Sequence, residues 1–374
     1  MKDTLFDEKP SQHRVAALDG LRGIAILLVL LHQFDPSPSG SIADLLLGIG
    51  WIGVQLFFVL SGFLITGILL DTRDSPVFYR SFFARRVLRI FPLYYGVLFL
   101  GFVLAPLLLP MPDAYGRHQL WLWTYLANFA MPFGKGEPAF SHFWSLCVEE
   151  QFYLVWPFLV RRSGLRGTMI ASFAVVATAI ATRWLLRHVL PGAPGLEAAY
   201  MFTPARADAL ALGALAAVAI RAPSLAARLR ATRPEWLLAA GVFVLGAGLI
   251  AGRIARTGEV MQLCGYTAIA LGFALMLLAA LRPRSWYARL LSFAPLRRCG
   301  LYSYGMYVFH APLHLFVGVP LLAYLWNGNP TLAEAILYEA GGILATFLTG
   351  FLSYHLYERH FLALKTRLAP VGAT

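Results

Sequence analysis

Eleven apolar segments follow one another along the chain, at about 17–34, 50–70, 91–110, 118–133, 143–160, 168–190, 205–221, 236–252, 259–281, 301–325 and 333–357. No other feature constrains the fold as strongly, because some 20 apolar residues in a row are what a hydrocarbon core of ~30 Å requires. Lipid offers the backbone no hydrogen bonds, so each crossing has to be a helix. The fold class is therefore all-α, a polytopic helical bundle. The composition agrees: 59% of residues are hydrophobic and 13% charged, against about 25% charged in soluble domains. The longest polar stretches, 71–90 and 282–299, are too short for a soluble domain.

Charge sets the topology. The net charge of +12 is spread over short clusters, Arg73 to Arg89, Arg161 to Arg166, Arg221 to Arg233, Arg282 to Arg298 and Arg359 to Arg367. Such clusters between apolar runs suit a bilayer and anionic ligands, and argue against nucleic acid as a partner. The loops 35–49, 191–204 and 326–332 contain no Lys or Arg, so the basic side is cytoplasmic. If 118–133 crossed the membrane, every basic cluster after it would be inverted. Left as a re-entrant or interfacial piece, with Trp121, Trp123 and Tyr125 at the membrane surface, it keeps all five clusters inside. The expectation is ten spanning helices, both termini cytoplasmic, in one integral-membrane domain 1–374 with its core at about 15–360. The first segment reads as a retained span, since no small-residue cleavage site closes it. Cys147, Cys264 and Cys299 have no metal-ligand spacing, so neither a metal site nor a disulfide framework is expected.

Polar groups interrupt otherwise apolar helices in four places, two of them pairs of segments. In LDGLRGIAILLVLLHQF, 18–34, Asp19 and Arg22 lie near one end and His32 roughly 15 Å away. Either Asp19 and Arg22 pair at the cytoplasmic edge while His32 and Gln33 lie at the outer interface, or these groups face a polar cavity. In FYRSFFARRVLRIFPLYY, 78–95, Arg85 and Arg89 share a helix face with Arg86 beside them. They serve as a positive-inside anchor or as a phosphate clamp. Ser61, within WIGVQLFFVLSGFLIT, has no charged neighbour in sequence and reads as a helix-packing serine. In HFWSLCVEEQFYLVWP, 142–157, Glu149 and Glu150 point about 100° apart. Glu149 forms a stripe with Tyr153 and Trp156 at a depth similar to His32. A histidine and a carboxylate at one level suit general base catalysis. Arg206 and Asp208, in ARADALALG, lie near an outer helix end, where they simply pair or support a cavity. His310, in SYGMYVFHAPLH, lies near mid-bilayer with His314 one turn further on.

Taken in order, LDGLRGIA, GVQLFFVLSGFLIT, RRVLRIFP, HFWSLCVEEQFYLVWP, RADALALG and SYGMYVFHAPL closely resemble the membrane-bound acyltransferase-3 family, over Leu18 to Pro312. That family includes bacterial O-antigen and exopolysaccharide O-acetyltransferases, Nod-factor acetyltransferases and macrolide acyltransferases. The resemblance implies a ten-helix bundle of the bacterial inner membrane that moves an acyl group from cytoplasmic acyl-CoA, usually acetyl-CoA, to a hydroxyl at the outer side. Acyl-CoA is then a co-substrate and no cofactor is bound permanently. The family's functional Arg and His map onto Arg22 and His32, its basic motif onto Arg85, Arg86 and Arg89, and its glutamate onto Glu149 or Glu150. Some members carry a C-terminal esterase-like domain, which this sequence is expected to lack. One departure stands out. The family usually has ten residues between that Arg and His, and here there are nine. Eleven steps of 100° return two side chains to within about 20°, whereas ten leave them about 80° apart. Either the helix distorts locally or Arg22 faces another direction.

The acyltransferase reading makes His32 the base that deprotonates the acceptor, with Arg22 and Glu149 in support and Arg85, Arg86, Arg89 and Ser61 on the donor side. Asp19, Glu150, Tyr153, Arg206, Asp208 and His310 line or brace the cavity. The acceptor is a carbohydrate or lipid-linked glycan, and the oligomeric state stays open. Two other classes also accommodate buried charge: a flippase or transporter of lipid-linked saccharides, and an acyl-delivery module for a separate periplasmic transferase.

Overall fold

The structure, a computed structural model, describes residues 15–37, 41, 44, 47–108, 110–325 and 331–365. The expected cytoplasmic placement of both termini falls outside the described residues. Nine helical spans among them are long and apolar enough to cross a membrane: α1 Ala16–Gln33, α2 Ile49–Asp71, α3 Phe78–Leu108, α4 Pro138–Val189, α5 Ala193–Ala219, α6 Pro234–Ala251, α7 Met261–Ala280, α8 Ala294–Leu325 and α9 Leu332–Ala363. The regular elements described are all helical.

The helix Trp144–Val189 within α4 has 46 residues, twice what one crossing needs. It breaks at Gly164, where φ is 61° and ψ −163°, a conformation essentially confined to glycine. Each arm is long enough for one crossing, which brings the count among the described residues to the expected ten. The break is closed by side chains. Arg73 Nε donates to the Arg161 carbonyl at 3.2 Å, and the Arg161 guanidinium donates to the Arg73 carbonyl. These bonds occupy backbone acceptors that a terminating helix leaves open.

The stretch 118–133 does not cross. It forms two short helices, Leu120–Trp123 and Ala127–Ala130, and a 3₁₀ turn at Met131–Phe133. Irregular backbone at membrane depth needs internal partners, and neighbours supply them. Tyr94 donates to the Leu122 carbonyl at 2.8 Å, and the Glu137 carboxylate accepts from the Gly116 and His118 amides at 3.1 and 2.7 Å. Trp121 is exposed, as an interfacial residue should be. Tyr125 is not: its φ of 55° turns the ring inward, where it stacks on Tyr94 with centroids 4.1 Å apart.

The chain divides into two compact units, one holding residues up to 25, 52–74 and 148–301, the other 26–51, 75–147 and those from 302 onward. In the first, α2 and α5 pack so closely that a Cβ on Gly62 would fall 1.9 Å from the Leu210 carbonyl oxygen, and one on Gly213 2.1 Å from that of Val59. Small residues permit this approach, which drives helix association in lipid. Gln55 meets Arg206 at one end, and Asp71 meets Arg221 at the other, at 2.7 and 2.8 Å. Low numbers face low and high face high, so α2 and α5 run parallel. Parallel helices need an odd number of crossings between them. α3 and the two arms of α4 make three, which leaves no room for 118–133.

Candidate active site

α1 is regular from Ala16 to Gln33, so no distortion absorbs the nine-residue gap. Arg22 and His32 point about 80° apart around it. Arg22 is half-buried, with Nη1 3.8 Å from the buried Asp19. His32 is exposed near the other end. Its stem lies against the 3₁₀ turn that opens α2, since a Cβ on Gly50 would lie 2.8 Å from the His32 Cβ.

In the first unit, the α4 carboxylate expected to work has partners. Ser61 donates to Glu149 Oε1 at 2.8 Å, and Tyr153, one turn on, donates to Oε2 at 3.2 Å. Ser61 is thus more than a packing serine, because its charged neighbour comes from another helix. Trp156 continues the stripe and donates to Thr66 at 2.8 Å. Glu150, half-buried, points elsewhere on the same turn. Glu149→Gln keeps the shape and removes the charge that these two hydroxyls address. It should yield a well-folded protein with impaired turnover, whereas Glu150→Gln should chiefly lower the melting temperature. Equal activity and stability for both would show that neither carboxylate has these roles.

Arg206 and Asp208 do not pair with one another. Asp208 bonds Arg183 at 2.8 Å, with both side chains fully buried, and accepts from Thr267 at 2.6 Å. Arg206 reaches Gln55 at 2.5 Å and lies over the rings of Tyr266 and Tyr200 at 4.3 and 5.0 Å. One helical turn holds about 3.6 residues, so side chains two apart diverge. Each finds its partner on a different helix.

In the second unit, His310 is buried against a second histidine, His142, with ring centroids 4.5 Å apart. Pro312 has no N–H to offer the carbonyl of Val308 four residues back. His142 Nε2 takes that carbonyl instead, at 3.2 Å. His310 Nδ1 donates to the Tyr307 carbonyl at 2.6 Å, and the Tyr307 hydroxyl meets Ser145 at 2.6 Å. His32 and His314 lie near enough to act on His310 electrostatically.

Where α3 begins and α9 ends, Arg85, Arg86 and Arg89 are joined by Lys365. Burial first, then the charges of Arg89, Arg86 and Arg85, hold this lysine down to about 7. Like charges gathered in one place disfavour the charged form of each, and the Glu358 carboxylate lies near Arg89 among them. Among the described residues, no group of His, Cys, Asp and Glu is placed to hold a metal ion.

Residues 15–355 match the model of the acyltransferase domain. The chain belongs to the acyltransferase-3 family. It is 29% identical over 370 residues to YrhL of Bacillus subtilis, covering 94% of this chain and 55% of that one. It is 26% identical to the peptidoglycan O-acetyltransferase OatA of Listeria monocytogenes over 93% of this chain and 56% of the relative. With the O-acetyltransferase OatA of Staphylococcus aureus it shares 27%, over 93% and 57%. The chain spans a little over half the length of these curated relatives.

Several residues that shape this acyltransferase-3 chain escape a reading by motif. His142 sits inside the quoted HFWSL stretch but reads there as loop. Arg183 is one of two arginines, with Arg187, in the apolar segment 168–190, and an intramembrane charge is itself a signal. Lys365 counts only as one more cytoplasmic positive charge until α9 returns it to α3.

Proposed function

We propose that the protein is a multi-pass O-acyltransferase that moves an acetyl group from cytoplasmic acetyl-CoA to a hydroxyl of a glycan at the outer side of the membrane. The observation that carries this reading is the gathering of Arg85, Arg86, Arg89 and Lys365 at the end of α3 that the charge pattern assigns to the cytoplasm. Four basic groups suit the phosphates of a CoA nucleotide, with the guanidinium forks taking oxygens in pairs. His32, exposed at the opposite end of the same unit, is the proposed base: it takes the acceptor's proton as the oxygen attacks the thioester carbonyl and CoA leaves as the thiol. The Listeria relative is named for peptidoglycan, which supports a glycan hydroxyl as the acceptor class.

The test is acetyl transfer by protein reconstituted in vesicles, followed as release of CoA thiol that depends on a hydroxyl acceptor. A transporter would release none. Arg89→Ala should raise the KM for acetyl-CoA about tenfold, the value of one strong charge-assisted contact, and leave the acceptor KM unchanged. The sign of the pH effect follows from Lys365. Its ammonium form, which attracts the phosphates, prevails below about 7 and is lost as pH rises, so CoA binding should weaken from pH 7 to 8.5. Lys365→Arg should abolish that dependence. A change confined to acceptor kinetics would place the donor elsewhere.

A further inference from the structure

A cavity of about 480 Å³ opens between α8 and α9, lined by Leu313, Leu321, Leu337, Tyr338, Gly341 and Ala345 among others. Its volume is that of a small-molecule site, yet it lies within two membrane spans. α8 widens into a π-helical turn at His314–Gly318 along this wall, as helices do at functional sites. Phe34, two residues beyond His32, is part of the lining, and its ring meets His314 edge-on at 5.4 Å. Tyr338 and His314 Nδ1 share a hydrogen bond of 3.2 Å there.

The charge around the cavity selects its occupant. Among the described lining residues the formal charge is that of Glu334, with no Lys or Arg. Glu339 and Asp35 lie near one another on the same unit, next in the chain to the lining residues Tyr338 and Phe34. Phosphate head groups are repelled by these acidic groups, while hydroxyl groups donate to them. We infer that this cavity takes the hydrocarbon chain of an uncharged, hydroxyl-bearing lipid of the outer leaflet and so presents that lipid's sugar hydroxyls to His32. The inference rests on the acyl-transfer reading for the fate of the hydroxyl, and on the cavity alone for the binding of the chain.

The probe is dodecyl glucoside carrying a diazirine in its alkyl chain, photolysed with the protein in vesicles. Labelled peptides should map to 313–325 and 334–345. A Cβ on Gly341 meets nothing within 4 Å, whereas one on Gly342 would strike the Phe34 ring at 2.4 Å. Gly341→Phe therefore fills the space without disturbing the helix contact, and Ala345→Phe is a second such variant. Either should cut labelling roughly tenfold, as a filled volume excludes its occupant. Unlabelled dodecyl glucoside should compete, and phosphatidylglycerol should not. Unchanged labelling in both variants, or equal competition by phosphatidylglycerol, would reduce the cavity to ordinary contact with membrane lipid and overturn the inference. Labelling needs no turnover, so it separates this site from the acyl-transfer reading. Acetyl transfer to dodecyl glucoside should fall in Gly341→Phe with the acetyl-CoA KM unchanged; transfer at the parental rate would remove the acceptor role.

Discussion

Replacing His32 by alanine is expected to lower acetyl transfer by about 10²–10⁴-fold, the usual worth of a general base. The protein should remain folded, because the residue is exposed and its Cβ, which alanine keeps, is the atom that lies against the turn at Gly50. Arg22 should not share this effect to the same degree. It lies on a different side of a regular helix, paired at 3.8 Å with Asp19. The measurement is initial rate with acetyl-CoA and acceptor both saturating, alongside a thermal melt in the same detergent. A His32→Ala protein that kept more than a tenth of the parental rate would take the base role from this residue. A His32→Ala protein with normal CoA binding and no transfer would locate the loss in chemistry.

The largest effect on stability should come from Asp208. Arg183 is fully buried and spends its donors on Asp208, the Ala205 carbonyl and Thr267. Asp208→Asn keeps the shape but leaves the guanidinium in the bundle without a counter-charge. Removing one partner of a buried pair typically costs about 3–5 kcal/mol, enough to abolish folded yield in a marginal membrane protein. Replacing both at once, as Arg183→Met with Asp208→Leu, should recover much of that loss, since the cost lies in the orphaned charge. Thermal melting of the two variants beside the parent measures it. If Asp208→Asn alone melted within a degree or two of the parent, the network would be ornamental.

The spans were legible because lipid tolerates few alternatives. An uninterrupted apolar run has one fate, and the alternation of basic and neutral loops orders the crossings. The helix ends were not. α3 starts at Phe78 and α8 at Ala294, well before the apolar segments at 91 and 301. The basic, aromatic turns 78–90 project beyond the hydrocarbon, where a helix need not be apolar. The polar sites were half legible. Hydropathy flags Glu149 and Asp208 as costly, but nothing local says that Ser61 and Arg183 will meet them, 88 and 25 residues away. Tyr125 went wrong for a different reason. Its aromatic neighbours suit an interface, and only the left-handed backbone at that one residue turns it inward.

The pairing of α2 with α5 has a mechanical consequence. Two helices whose backbones touch at Gly62 and Gly213, pinned near their ends by Gln55–Arg206 and by the doubly bonded Asp71–Arg221, cannot slide or roll on one another without breaking every one of these contacts together. They form a stiff beam about 24 Å long between the two pins. Whatever gate admits a substrate to this protein must therefore hinge on other helices, with this pair as the fixed post.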